Sequence, residues 1–164
     1  MHIALFQPDI PQNAGTLARL CACLGVPLAI IEPAGFPTGD RAFLRAGMDY
    51  LDLAAIARHA SFSAFESWRR SAGHRLVLFT TTADRSFVDF TFAAGDVLLF
   101  GRESAGVPDH VHAAADARLI IPMVGGVRSL NVAVAAAMAL ALALRQTGGF
   151  PPAVDGGPPT LEHG

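Results

Sequence analysis

RLVLFTT (Arg75–Thr81) and DVLLFG (Asp96–Gly101) are apolar nearly end to end and too short to be helices. Successive strand residues point to opposite faces, so a strand half in water alternates apolar with polar side chains. A strand that is apolar at every position must be covered on both faces, the condition met in parallel sheets sandwiched between helices. HIALFQP (His2–Pro8), PLAIIEP (Pro27–Pro33) and ARLIIPM (Ala117–Met123) read the same way. Between these runs the spacing changes. From Gln12 to Leu24 the apolar residues Leu17, Leu20, Cys21 and Leu24 fall at helical intervals, and Gly25 ends the run. DRAFLRAG (Asp40–Gly47) predicts a short helix with Asp40 as its cap. SAFESWRRSAG predicts another, opened by Ser63 with Glu66 three residues on, the pattern of a capping box. A last helix runs from about Leu130 to Gln146 and stops near Gly148. Strands alternating with helices predict one α/β domain with a mostly parallel sheet flanked by helices. That domain spans residues 1–148, and residues 149–164 read as a flexible Pro/Gly-rich tail.

Composition removes several classes of function. The chain has 164 residues, 52% of them hydrophobic and 16% charged, enough for a real core and too apolar for disorder. All 12 basic residues are arginine and the net charge is −2, so a polyanion would have to be held by a local arginine patch. The apolar run Val132 to Leu144 falls short of the roughly 20 residues that span a bilayer. The start, MHIALFQPDIPQ, lacks the charged head and long apolar stretch of a signal peptide. Cys21 and Cys23 point different ways on a helix and read as small buried hydrophobes in a reducing, cytoplasmic setting.

Three polar turns interrupt the apolar framework. Asn13-Ala14-Gly15, with Arg19 one turn later, follows the first strand; FGRESAGVP (Phe100–Pro108) follows the fourth apolar run; GGVRSLN (Gly125–Asn131) follows the fifth. Each lies at the carboxyl end of a strand, where open α/β sheets build ligand sites. Asn13 and Ser129 can each serve as a helix cap instead, and Arg19 as a solvated surface charge. Glu103 is harder to explain away. A carboxylate just beyond a buried strand is costly unless it is paired or works on a ligand.

ALFQPDIPQNAGTLARLCACLGVPLAIIEPAGF (Ala4–Phe36), GDVLLFGRESAGVP and RLIIPMVGGVRSLNVAVAAAMAL resemble, in order and spacing, the three motifs of the SPOUT RNA 2′-O-methyltransferases. They are most similar to the small branch that methylates the wobble ribose, position 34, of certain tRNAs. LRAGMDYLDLAAIARH (Leu44–His59) carries the likeness between motifs. The resemblance implies a C-terminal trefoil knot, which periodicity alone would never indicate. It implies S-adenosyl-L-methionine as cofactor, no metal, the tRNA anticodon stem-loop as partner, and a homodimer through the C-terminal helix and the motif 1 helix. By motif position, Phe79, Gly101, Ile121, Ser129 and Leu130 bind the cofactor. Arg19, Asn13, Glu103 and Asn131 are the catalytic candidates, with Arg19 of one chain near the cofactor of the other. The helix after GGVRSLN would then be covered by a second subunit, since a helix apolar all round must be covered all round.

Two positions depart from the family pattern. Arg102 stands where a proline is common, and Ala105 where an arginine is common. They keep open an idle dimeric module that binds RNA or nucleotide; a same-class alternative is methylation of another RNA such as ribosomal RNA, against which the compact size speaks. A nicotinamide-binding Rossmann enzyme fits poorly, because the first turn offers Asn-Ala-Gly and not GxGxxG.

Overall fold

The computed structural model of the chain describes residues 1–37 and 39–152. Strands β1 (His2–Phe6), β2 (Leu28–Ile31), β3 (Ile56–His59), β4 (Leu76–Phe79), β5 (Val97–Phe100) and β6 (Ala117–Leu119) form one sheet in the order β3-β2-β1-β5-β4-β6. Every pairing is parallel. Helices α1 (Pro11–Leu24), α2 (Arg41–Gly47), α3 (Phe62–Ser71), α4 (Asp109–Ala114) and α5 (Val132–Thr147) cover it.

The apolar runs are buried on both faces, as their composition demands. Ile3 and Leu5 of β1, with Val77, Leu98 and Phe100, pack under α1, α2 and α5. Ala4 and Phe6, with Ala29, Leu78 and Leu99, pack under α3 and α4 through Phe65 and Val111. Burying each large side chain contributes about 1.5–3 kcal/mol. Gly15 sets the approach of α1 to α2: a Cβ there would sit 2.5 Å from the Phe43 carbonyl oxygen.

Several expectations need correction. Helix α3 is capped two residues earlier than predicted: Ser61 Oγ accepts from Ala64 N, while Glu66 binds Arg69 and Arg70 instead of closing a capping box. Neither Asn13 nor Ser129 caps a helix. Asn13 lies inside α1, whose cap position is Ile10, and α5 is capped by Asn131, whose Oδ1 accepts from Ala133 N and Val134 N. Asp40 caps α2 as expected. The last strand is shorter than its apolar run. Beyond Leu119 the chain leaves β4, and Ile120 pairs with Arg85 and Phe87 in the β4–β5 connection. Cys21 is buried but Cys23 is exposed, because the two lie on different faces of α1. Strand β3 and helix α4 were not anticipated. Of the expected tail, residues 149–152 are described; residues 153–164 lie outside the described residues.

Strand order reverses between β1 and β5. From β1 the chain winds outward through β2 to β3, then returns to the other side for β4, β5 and β6. The crevice above such a switch point is where open parallel sheets hold ligands. Among the described residues no helix is long and apolar enough to cross a membrane.

Candidate active site

A cavity of about 630 Å³ opens over the carboxyl ends of β1, β4, β5 and β6. Its volume lies within the roughly 300–1,000 Å³ usual for small-molecule and cofactor sites. All three polar turns reach it. Asn13 comes from α1, Gly101 and Glu103 from the turn after β5, and Ser129, Leu130 and Asn131 from the turn before α5. Phe79 and Ile121 also line it. Phe79 stacks on Phe100 with ring centroids 5.0 Å apart, so two aromatic rings at neighbouring strand ends stiffen the floor.

A chain of hydrogen bonds ties the turns together. Asn131 Nδ2 donates to Asn13 Oδ1 at 2.9 Å, and Asn13 Nδ2 donates to Glu103 Oε1 at 3.0 Å. Asn13 is only 9% exposed, so both ends of its amide are committed. Glu103 and Asp9 clasp each other through backbone. Asp9 N donates to Glu103 Oε2 at 3.2 Å and Glu103 N to Asp9 Oδ1 at 3.1 Å, while Ser104 Oγ donates to Asp9 Oδ2. The hydrogen bond their carboxyls can share holds Asp9 down to about 2. Glu103 is pushed up, first by burial and then by the carboxyl of Asp9. The two carboxyls titrate as a coupled pair, with Asp9 the stronger acid.

Gly101 and Gly106 close the turn after β5. Arg102 N donates to Gly106 O at 3.0 Å and Gly106 N to Arg102 O at 2.9 Å. A Cβ on Gly101 would lie 2.6 Å from the Gly106 carbonyl carbon, and Gly106 has the left-handed φ of 64° that glycine takes without strain.

The segment before α5 supplies the opposite wall. Among the described residues, no backbone N–H from Ile121 to Leu130 donates within the protein. Backbone donors and acceptors are normally paired when they are removed from water. From Val124 to Leu130 the segment is exposed, so its unpaired N–H groups stay open to solvent, and those at the cavity wall suit the hydrogen-bonding edge of a heterocyclic base, with Phe79, Ile121 and Leu130 for its faces. These residues fit an adenosine-containing cofactor.

Arg19 is the exception among the expected site residues. It does not line the cavity of its own chain. Its Nη1 lies 3.1 Å from Met48 Sδ, and its guanidinium sits 5.0 Å above the Tyr50 ring. Asp9, Thr80, Thr81 and Met123 were missed. The reasoning that singled out Glu103, a carboxylate just past a buried strand, applies equally to Asp9.

Fold and cavity together define an α/β protein that holds a nucleotide-like ligand at the switch point of its sheet. The chain belongs to the SpoU rRNA methylase family, whose pattern matches residues 1–141. It is 63% identical over 153 residues to a tRNA (cytidine(34)-2'-O)-methyltransferase of Beijerinckia indica, covering 93% of this chain and 96% of the relative. A solved structure described as giving insights into the 2-OH methylation of C/U34 on tRNA superposes with a TM-score of 0.84 at 45% identity. The match covers 88% of this chain and 94% of that one. The SpoU methyltransferase AviRb of Streptomyces viridochromogenes, solved with the cofactor AdoMet, gives a TM-score of 0.81 at 30% identity, over 89% of this chain and 60% of AviRb.

Proposed function

We propose that this protein transfers a methyl group from S-adenosylmethionine to the ribose 2′-oxygen of the wobble nucleotide, position 34, of tRNA. The carrying observation is the convergence of Asn13, Glu103 and Asn131, far apart in sequence, on one cavity. When bound, the cofactor supplies a methyl group on a positively charged sulfur. Phe79, Ile121 and Leu130 hold its base between apolar surfaces, the free amides between Ile121 and Leu130 read its edge, and Gly101 lets main chain come close. Ser129 adds a hydroxyl to that wall. Asn13, Glu103 and Asn131 keep the three turns in register.

A ribose hydroxyl is a weak nucleophile and must be oriented for attack. Arg19 is the positioning group, supplied by the second subunit of a cytoplasmic homodimer packed through α1 and α5. What supports the dimer is the outer face of α5, where Val134 and Met138 remain 50% and 42% exposed among alanines that permit close approach. The chain after β6 then threads the β4–β5 connection with which Ile120 pairs, forming the knot.

The test is incubation of undermethylated tRNA with labelled S-adenosylmethionine, followed by mapping of the modified ribose. Label on the 2′-oxygen of nucleotide 34 is the expected result. Label on ribosomal RNA alone overturns the substrate, and cofactor binding with no transfer leaves an idle binding module. Arg19→Ala removes at least about 100-fold of the transfer rate, the scale of a lost transition-state contact, with cofactor affinity within a few-fold. Full activity in that variant would end its role.

A further inference from the structure

A second cavity of about 630 Å³ shares a wall with the first. The wall is the Arg102–Gly106 turn, and beyond it the cavity is lined by Gln7 at the end of β1, Phe62 at the start of α3, and His110 on α4. Three features of this cavity are left over by the packing of the protein. Gln7 has a left-handed backbone, φ 46°, a conformation that costs a non-glycine residue about 1–3 kcal/mol. Its Nε2 donates to Glu32 O at 3.3 Å, but its Oε1 is shut away from solvent with no hydrogen-bond partner. Arg102 has no carboxylate partner among the described residues and rests 5.8 Å from the centre of the Phe6 ring.

Strain and an orphaned acceptor at one residue mark a position held for something other than stability. The missing partner must bring an N–H donor. It must also be flat enough to lie against Phe62, which makes T-shaped contacts with Phe6 and His110 at centroid distances of 6.0 and 5.6 Å. A nucleobase has both properties, and unstacked bases are commonly received on aromatic side chains. Arg102 borders both cavities, so a single phosphate lying across the shared wall would meet a free guanidinium.

We propose that the second cavity takes the base of the nucleotide adjoining the methylated one, with Arg102 on the phosphate that joins them. This rests on the first cavity being the methyl-donor site, and wild-type transfer to tRNA checks that separately before any variant is compared.

Gln7→Gly removes the amide while glycine accepts φ 46° without strain, so folding is not at risk. The KM for tRNA rises about 5-fold or more, while kcat stays within about 2-fold and cofactor affinity is unchanged, in line with a lost substrate hydrogen bond. Phe62→Leu shifts KM in the same direction. Arg102→Ala lowers the slope of log KM against log salt by about 1, the signature of one lost phosphate contact. The decisive comparison uses two full-length tRNAs, each lacking the base on one side of the target nucleotide. With one of them, wild type and Gln7→Gly become equal, because the base that Gln7 reads is gone. If Gln7→Gly costs nothing on intact tRNA, or penalises intact and both abasic tRNAs alike, the proposal is wrong.

Discussion

At the amino ends of the strands, Arg75 lays Nε and Nη2 on the two Asp96 carboxylate oxygens at 2.8 and 2.7 Å; at the carboxyl ends, Arg102 has only an aromatic ring beside it. The amino end is closed on itself except at His2, whose Nδ1 is buried without a partner. Asp96 is fully buried and also accepts from Ala93 N. Arg69, buried in α3, binds both oxygens of Glu66 and reaches Asp116, which in turn accepts from Leu76 N. At the carboxyl end the amides from Ile121 to Leu130 are free and Gln7 Oε1 has no partner. Both ends carry polar groups next to a buried sheet, so polarity alone does not mark a site. What separates them is how far the polar groups satisfy one another: at the carboxyl end the amides from Val124 to Leu130 lie open to solvent, and the buried Gln7 Oε1 carries a cost of about 1–3 kcal/mol that a ligand can recover.

If that contrast is right, damage at the two ends should read out differently. The largest loss of stability belongs to the amino end. Asp96→Ala strips Arg75 and Ala93 N of their acceptor and costs about 3 kcal/mol, measured by urea unfolding, with cofactor affinity of the folded protein intact. Weakened cofactor binding in that variant would break the separation. Gly101→Ala forces the turn after β5 away from Gly106 and costs about 1–3 kcal/mol. Here cofactor affinity should fall at least 10-fold, as titration would show.

A smaller effect sharpens the picture of the amino end. His2 packs edge-on to Trp68 and tilted against His74, and burial, then the neighbouring His74, lowers its pKa to about 4. The unfolded chain therefore binds a proton near the usual 6.5 that the folded chain refuses until about 4. Stability is full above pH 6.5 and falls between there and pH 4, by about 1 kcal/mol once partial exposure is allowed for. His2→Gln should flatten that slope in thermal melts taken across the range. The smallest effect lies at the site. Burial raises the pKa of Glu103, so its ionised form works against folding at neutral pH. Glu103→Gln should leave stability unchanged or raise it by up to about 1 kcal/mol, while methyl transfer falls. A clear loss of stability would make Glu103 part of the scaffold.

How much of this was legible in the sequence depended on burial. Strands β1, β2, β4 and β5 lie inside the sheet, and apolarity at every position revealed them. Strand β3 sits at the edge as IARH, with its two middle residues exposed, so covering on both faces left no mark. Helix α4 has six residues and one buried side chain, too little for a period to show. Along the site, Asn13, Glu103 and Asn131 stood out as polar groups beside apolar runs. In the Asp9–Glu103 clasp the donors are backbone N–H groups, which no residue type signals, so the carboxylates could be flagged singly but not as a pair. Arg19 does not line the cavity of its own chain, and the role proposed for it rests on a second copy.

The switch point also bears on how the protein is made. By Leu119 the chain holds all six strands, yet the cavity still lacks the wall running from Ile120 to Ala135. As synthesis proceeds from the N-terminus, a nascent chain can assemble its whole sheet and remain unable to grip a ligand. Capture of the methyl donor thus reports that the last helix has docked, and a molecule interrupted before that point is silent, not partly active.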